Sequence, residues 1–134
     1  MAEQRDFEFL VLGSGLAGLF YALRVAEHGR VAIVTKRAAE DSATSWAQGG
    51  IAAVLADDDS FDAHQRDTLT AGAGLCHEDV VQHVVERAPG VIESLVKLGV
   101  RFDPAETGAP AGSGFALGRE GGHSRRRILH HHDA

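Results

Sequence analysis

Residues 7–12 (FEFLVL) are an almost unbroken run of apolar and aromatic side chains. So short a run, followed at once by glycine, predicts a strand buried on both faces of a parallel sheet. The period then changes. Leu16, Leu19, Phe20 and Leu23 recur at three- and four-residue spacing, which predicts a helix with one apolar stripe, and Gly29 is placed to end it. Val31 to Thr35 returns to a continuous apolar run and predicts a second strand. Between the first strand and the helix, Gly13-Ser14-Gly15-Leu16-Ala17-Gly18 matches G-x-G-x-x-G. In this setting Gly13 permits a tight turn, Gly15 lets the backbone approach a pyrophosphate, and Gly18 lets the helix pack closely on the strands. The start of the helix, at Gly15 and Leu16, offers unpaired N–H groups to phosphates. The expected fold is α/β, a Rossmann-like nucleotide-binding unit with a partial parallel sheet, followed by helices.

Downstream, Ser60 is suited to cap a helix over 61–70, with the acids of DDDS at its positive end. A second helix is expected over 78–88, with Val80, Val81, Val84 and Val85 on one face. Pro89 suits the first turn of a third, with Val91, Ile92, Leu95 and Leu98 inward and Gly99 just past its end. These apolar stripes read as core. Residues 103–114 read as a loop.

Composition narrows the function classes. A chain of 134 residues has the length of one domain, and 13 Lys plus Arg against 19 Asp plus Glu give a net charge of -6, which disfavours nucleic acid and anionic membranes as partners. The Arg125-Arg126-Arg127 run lacks interleaved aromatics and reads as a solvated or ion-paired stretch. One cysteine, Cys76, excludes an intramolecular disulfide and points to a reducing compartment, hence the cytoplasm. The apolar stretch 7–26 is preceded by Glu3, Arg5 and Asp6 and interrupted by glycines, unlike a membrane span. His130, His131 and His132 are adjacent and would point in different directions, so no metal centre is expected. His123 is open to either a functional role or a structural hydrogen bond.

The nucleotide is chosen by other residues. An acid normally closes the second strand and accepts from ribose hydroxyls, but here Thr35 and Lys36 stand there. That weakens NAD and leaves NADP open. Residues 42–54 (SATSWAQGGIAAV) are a run of small and hydroxyl residues leading into Gln48-Gly49-Gly50 and then an apolar, strand-like piece, a composition that lets backbone lie flat against a planar ligand.

Together with the Gly13–Gly18 motif and the Thr35-Lys36 ending, the segments SWAQGGIAAV, DTLTAGAGLC (67–76), LGVRFD (98–103) and GREGGHSRRRILH (118–130) resemble the amino-terminal part of the L-aspartate oxidase family. That family lies in the flavoprotein group of succinate dehydrogenase and fumarate reductase. The resemblance implies FAD held at the pyrophosphate by Ser14, Gly15, Leu16 and Ala17, and by Lys36 beyond the second strand. It also implies that Ala43, Thr44, Ser45, Trp46, Ala47, Gln48, Gly49 and Gly50 lie near the flavin. In covalently flavinylated relatives a histidine stands five residues before the glutamine of A-Q-G-G. Ala43 stands there in this chain, so a non-covalent flavin is expected.

The implied reaction is oxidation of L-aspartate to iminoaspartate, with oxygen or fumarate as electron acceptor, as the first step of NAD biosynthesis. An enzyme of quinolinate synthesis is the implied partner, and Glu120 is the implied substrate-orienting residue. No catalytic residue is expected within the chain, because the family's substrate-acting arginine would lie beyond Ala134. Residues 1–134 are expected to be the amino-terminal part of an FAD-binding domain, without the substrate-capping and carboxy-terminal helical domains, and inactive alone. A fumarate reductase or succinate dehydrogenase-type flavoprotein, and a nonfunctional nucleotide-binding module, are the competing expectations. The block around Glu120 favours the oxidase.

Overall fold

The computed structural model describes residues 4–47, 49–106 and 114–131. They fall into two compact units, Met1–Gln48 and Gly49–Ala134.

The first unit is a β-α-β crossover. Strand β1 (Phe9–Leu12) runs parallel to β2 (Val31–Val34), in a register from Phe9 opposite Val31 to Leu12 opposite Val34. Helix α1 (Leu16–Val25) connects them, and Val11 and Ala22 are buried. The expectation that β1 is buried on both faces is not met. Leu10 and Leu12 remain 64% and 77% exposed, because one helix can cover only one face of a two-stranded sheet. Gly29 also differs from expectation. The helix ends four residues earlier, with Ala26 in αR conformation as its C-cap. A Cβ on Gly29 would lie 3.1 Å from Glu8 Cβ and 3.2 Å from the Phe9 ring. Its small size lets the chain re-enter beside β1 instead of capping a helix.

In the second unit, α2 (Phe61–Gly72) starts as the sequence predicts, with Ser60 Oγ accepting from the Ala63 N–H at 3.2 Å. The two helices expected over 78–98 are a single α3 (Glu78–Lys97) with Pro89 inside it. Proline lacks an N–H and crowds the preceding turn, a cost of about 3 kcal/mol. Val85, Ile92 and Leu95 flank it, all buried, and this apolar row across Pro89 holds the helix continuous. Val80, Val84, Val91 and Leu98, expected in the core, are all exposed. Gly99 does follow the end, at φ 100°, and the Gly99 and Val100 amides donate to Val96 and Leu95.

The remaining element is a sheet that the sequence does not predict, although its first strand falls in the apolar, strand-like piece expected after Gly50. Strands β3 (Ile51–Ala52), β4 (Leu117–Gly118) and β5 (Ile128–Leu129) form an antiparallel sheet in the order β3-β5-β4. Ile51 pairs with Leu129 and Ala52 with Ile128, while Leu117 and Gly118 take the other side of the same two residues. Ala53, Ile128 and Leu129 join Val85, Ile92 and Leu95 among the buried apolar residues.

Candidate functional site

The dinucleotide motif folds as its glycines demand. Gly13 sits at φ 102°, a conformation that favours glycine, and its amide donates to the Val34 carbonyl at 2.9 Å. The turn is thereby fastened to the end of β2. A Cβ on Gly18 would lie 2.5 Å from the Gly13 carbonyl oxygen and 3.3 Å from Val11 Cγ1, so close helix–strand packing is the reason for this glycine. Ser14 is buried, and Gly15 is the extended N-cap of α1 with no side-chain cap of its own.

Of the implied phosphate donors, Leu16 is already engaged, since its amide donates to Thr44 Oγ1 at 3.0 Å. The first intrahelical bond runs from the Leu19 amide to the Gly15 carbonyl. The Ala17 and Gly18 amides, preceding it, have no intrahelical acceptor. No acid occupies the first turn, so the helix dipole there is uncompensated and suits a pyrophosphate. The cradle fits the phosphate end of a dinucleotide.

Beyond β2, the Thr35 hydroxyl donates to the Arg37 carbonyl and Lys36 is exposed. The segment expected to lie flat is folded on itself. Thr44–Trp46 form a short 3-10 turn that follows Ala43 and ends before Ala47. Ser45 Oγ donates to the Glu40 carbonyl at 2.5 Å and lies 3.2 Å from Ser42 Oγ, and the Trp46 indole donates to Asp41 at 3.1 Å. Gln48 lies outside the described residues. Gly49 and Gly50 belong to the second unit. A side chain on Gly49 would meet open space, whereas one on Gly50 would run into the Leu129 carbonyl and Ile128 Cγ2. Sheet packing alone therefore requires glycine at position 50.

In the second unit the ion-paired alternative for the arginine run holds at Arg127, whose burial sequence reasoning missed. Arg125 and Arg126 are exposed, but Arg127 is fully buried. Its Nε and Nη2 donate to the two oxygens of Asp59 at 2.8 and 2.7 Å, and Nη1 donates to Asp67 Oδ2 at 2.7 Å. The same Asp67 oxygen accepts from the Ser124 amide and hydroxyl, both at 2.7 Å. Burial alone would raise the Asp67 carboxyl, but the two Ser124 bonds, the Arg127 bond and the guanidinium charge bring it down to about 2. For Arg127, burial favours the neutral form, and the two aspartates outweigh it so that the group is raised. Asp59, one of the acids expected to serve the start of α2, is spent on Arg127, and Asp62 is the first-turn acid.

His123 Nδ1 lies 3.4 Å from Arg127 Nη1, and its ring centroid is 5.6 Å from that of His64. His64 is buried with no partner for Nδ1. Burial first, then the Arg127 and His123 charges, hold His64 below the ordinary histidine range, against the pull of Asp59 and Asp67. Glu120 pairs with neither Arg125 nor Arg126. Its Oε1 accepts from His130 Nε2 at 2.9 Å. His131 turns elsewhere and donates through Nδ1 to the Arg101 carbonyl. Among the described residues no helix is long and apolar enough to cross a membrane.

Comparison with known proteins extends these observations. Residues 8–134 match the family model described as FAD binding domain. L-aspartate oxidase 1 of Ralstonia nicotianae is 51% identical over 129 residues, which cover 96% of this chain and 24% of that protein. L-aspartate oxidase of Vibrio cholerae is 47% identical over 132 residues, covering 98% and 25%. Among solved structures, Mycobacterium smegmatis Sdh1 in complex with UQ1 superposes with a TM-score of 0.87 at 29% identity, over 98% of this chain and 22% of that one. Quinol fumarate reductase FrdA of E. coli gives 0.80 at 32%, over 92% and 21%. The chain thus spans about a quarter of the length of these curated relatives.

Proposed function

The chain belongs to the FAD binding domain family, and on that premise we propose that it is the amino-terminal, FAD-holding part of an L-aspartate oxidase. The observation that carries this reading is the identity of about half, over nearly the whole chain, to proteins of that name. The capping and carboxy-terminal helical domains belong, in this reading, to the remainder of such an enzyme. The substrate is L-aspartate, the product iminoaspartate, and the acceptor oxygen or fumarate. An imine hydrolyses in water, which gives reason for a cytoplasmic partner enzyme of quinolinate synthesis to take it up at once.

Bound FAD supplies a two-electron acceptor. The chain's own residues bind and orient. The Ser14–Ala17 turn and the Ala17 and Gly18 amides receive the pyrophosphate, while Thr44 secures the Leu16 amide and so the start of α1. Lys36 places positive charge beyond β2, and Ala43 to Gly50 serve the flavin end. Ala43 has no side-chain nucleophile, so the flavin is held without a covalent bond. Acid precipitation of the FAD-loaded full-length protein should leave the yellow colour in the supernatant, and colour retained in the pellet would contradict this.

Glu120 faces the α-ammonium of the amino acid, the group that L-aspartate has and a plain dicarboxylate lacks. A charge-assisted hydrogen bond contributes about 1.5 to 3 kcal/mol. In the full-length enzyme Glu120→Gln keeps the shape and removes the charge. It should lower kcat/KM for aspartate oxidation roughly ten- to a hundredfold while changing fumarate reduction far less. Parallel loss of both activities, or no loss, would count against this role.

A further inference from the structure

Glu120 is a long side chain about half exposed to solvent, yet one of its oxygens is held from below. The register Leu117 opposite Leu129 sets His130 beside Ala116. Alternate residues of an extended chain share a side, so His130 and the 116, 118, 120 series lie on one side of the pair. The imidazole passes over Gly118, where a Cβ would stand 2.6 Å from its Cε1 and 3.3 Å from its Nδ1, and it reaches Glu120 Oε1 at 2.9 Å. The His130 carbonyl accepts from the Asp103 amide at 2.9 Å. The His130 side chain is only 17% exposed, against 48% for Glu120. An exposed ion pair constrains little, but here one partner is packed into the sheet and can hold the other.

We propose that His130, seated over Gly118, is a positioning residue for Glu120: it occupies Oε1 and leaves the other carboxylate oxygen for the primary ammonium of an amino-acid substrate. The inference rests on the reading of Glu120 given above. A free glutamate loses side-chain entropy when it is ordered. A carboxylate already ordered by His130 meets less of that cost when substrate arrives. The effect therefore falls on affinity for the amine-bearing substrate, and turnover is left to residues that act on the reacting bond.

The test uses the FAD-loaded full-length enzyme. His130→Ala should raise KM for L-aspartate about five- to tenfold, the range of one hydrogen bond, with kcat within about twofold. The dissociation constant of succinate, which has no amine, should move less than about twofold in a titration followed by flavin absorbance. His130→Gln retains a donor of similar reach and should recover most of the loss. Gly118→Ala, which fills the space of the ring, should reproduce His130→Ala. In a Glu120→Gln background the His130 substitution should add less than about twofold.

An unchanged aspartate KM in His130→Ala would overturn the proposal. So would an equal weakening of succinate, failure of glutamine to recover the loss, or a full additional effect in the Glu120→Gln background. Should His130→Ala not accumulate as folded protein, His130→Asn, polar but too short to reach Glu120, takes its place with the same expectations. The two readings fail differently. If Glu120→Gln lowers aspartate selectivity while His130→Ala does not, only the positioning role is lost. If Glu120→Gln has no effect, the role of Glu120 itself is wrong.

Discussion

Replacing Arg127 by alanine will destabilise the protein by about 3 to 5 kcal/mol, the usual penalty for leaving a buried charge without its partner. The guanidinium and Asp59 side chains are both inaccessible to solvent, and they share a two-point contact at 2.7 and 2.8 Å. The third contact fixes Asp67 at 2.7 Å. Lysine is no substitute, because a single ammonium cannot serve both Asp59 oxygens and Asp67 at once, so Arg127→Lys should show most of the same loss. Urea unfolding at neutral pH measures this, and a loss below about 1 kcal/mol for Arg127→Ala would sink the account.

Acid supplies an independent check. The Asp67 carboxyl is depressed from 3.8 to about 2, so its contribution is complete above the unfolded value and is lost as pH falls from there toward 2. His64 is lowered below its ordinary 6.5. The unfolded chain therefore binds its proton first, and stability also declines as pH falls below that value. Both groups act in the same direction, in two separate windows. In Arg127→Ala the lower step should flatten, since part of the depression of Asp67 comes from the guanidinium. The upper step should shrink but persist, since burial is the largest cause of the His64 shift.

The contrast between Arg127 and its neighbours shows where sequence reasoning stops. Three consecutive arginines look alike. What separates the third is contact with Asp59 and Asp67, 68 and 60 positions away, and no local pattern carries that. The β-α-β unit was legible because its signals are local: the change from continuous to helical periodicity and glycines whose spacing matches one turn. The antiparallel sheet was not, since each of its strands is two residues long, too short to show an alternation. Pro89 misled for a related reason. Proline reports a local cost, while the buried row of Val85, Ile92 and Leu95 that overrides it is tertiary. Thr44 was legible as part of a ligand-facing segment, but not as the side chain that caps α1 in place of the missing cap at Gly15. A capping hydroxyl is normally sought next to the helix, and this one lies 28 residues on.

Gly18→Ala will cost both packing and cofactor. The added Cβ meets the Gly13 carbonyl oxygen at 2.5 Å, and Gly13 cannot retreat, because its turn is tied to Val34 and already sits at φ 102°. Helix α1 must therefore move off the strands, carrying the Ala17 amide with it. Overpacking of this kind costs about 1 to 3 kcal/mol, and FAD affinity in the full-length apo-protein should fall at least about a hundredfold, the equivalent of roughly 2.8 kcal/mol. Gly15→Ala separates the two effects. Gly15 has φ -70°, which alanine adopts without strain, and its Cβ would lie 3.3 Å from Thr44 Oγ1, a hydroxyl that can yield by a few tenths of an ångström. Its unfolding free energy should stay within about 0.5 kcal/mol of the unsubstituted protein. If the backbone at Gly15 is where the pyrophosphate approaches, FAD binding should nevertheless weaken, because the methyl group occupies that approach. Fluorescence titration with FAD and urea unfolding, run on both variants, read the two effects separately. Unaltered FAD affinity in Gly15→Ala would move the pyrophosphate away from this glycine, and normal stability in Gly18→Ala would mean that the close contact with Gly13 is not what holds the helix in place.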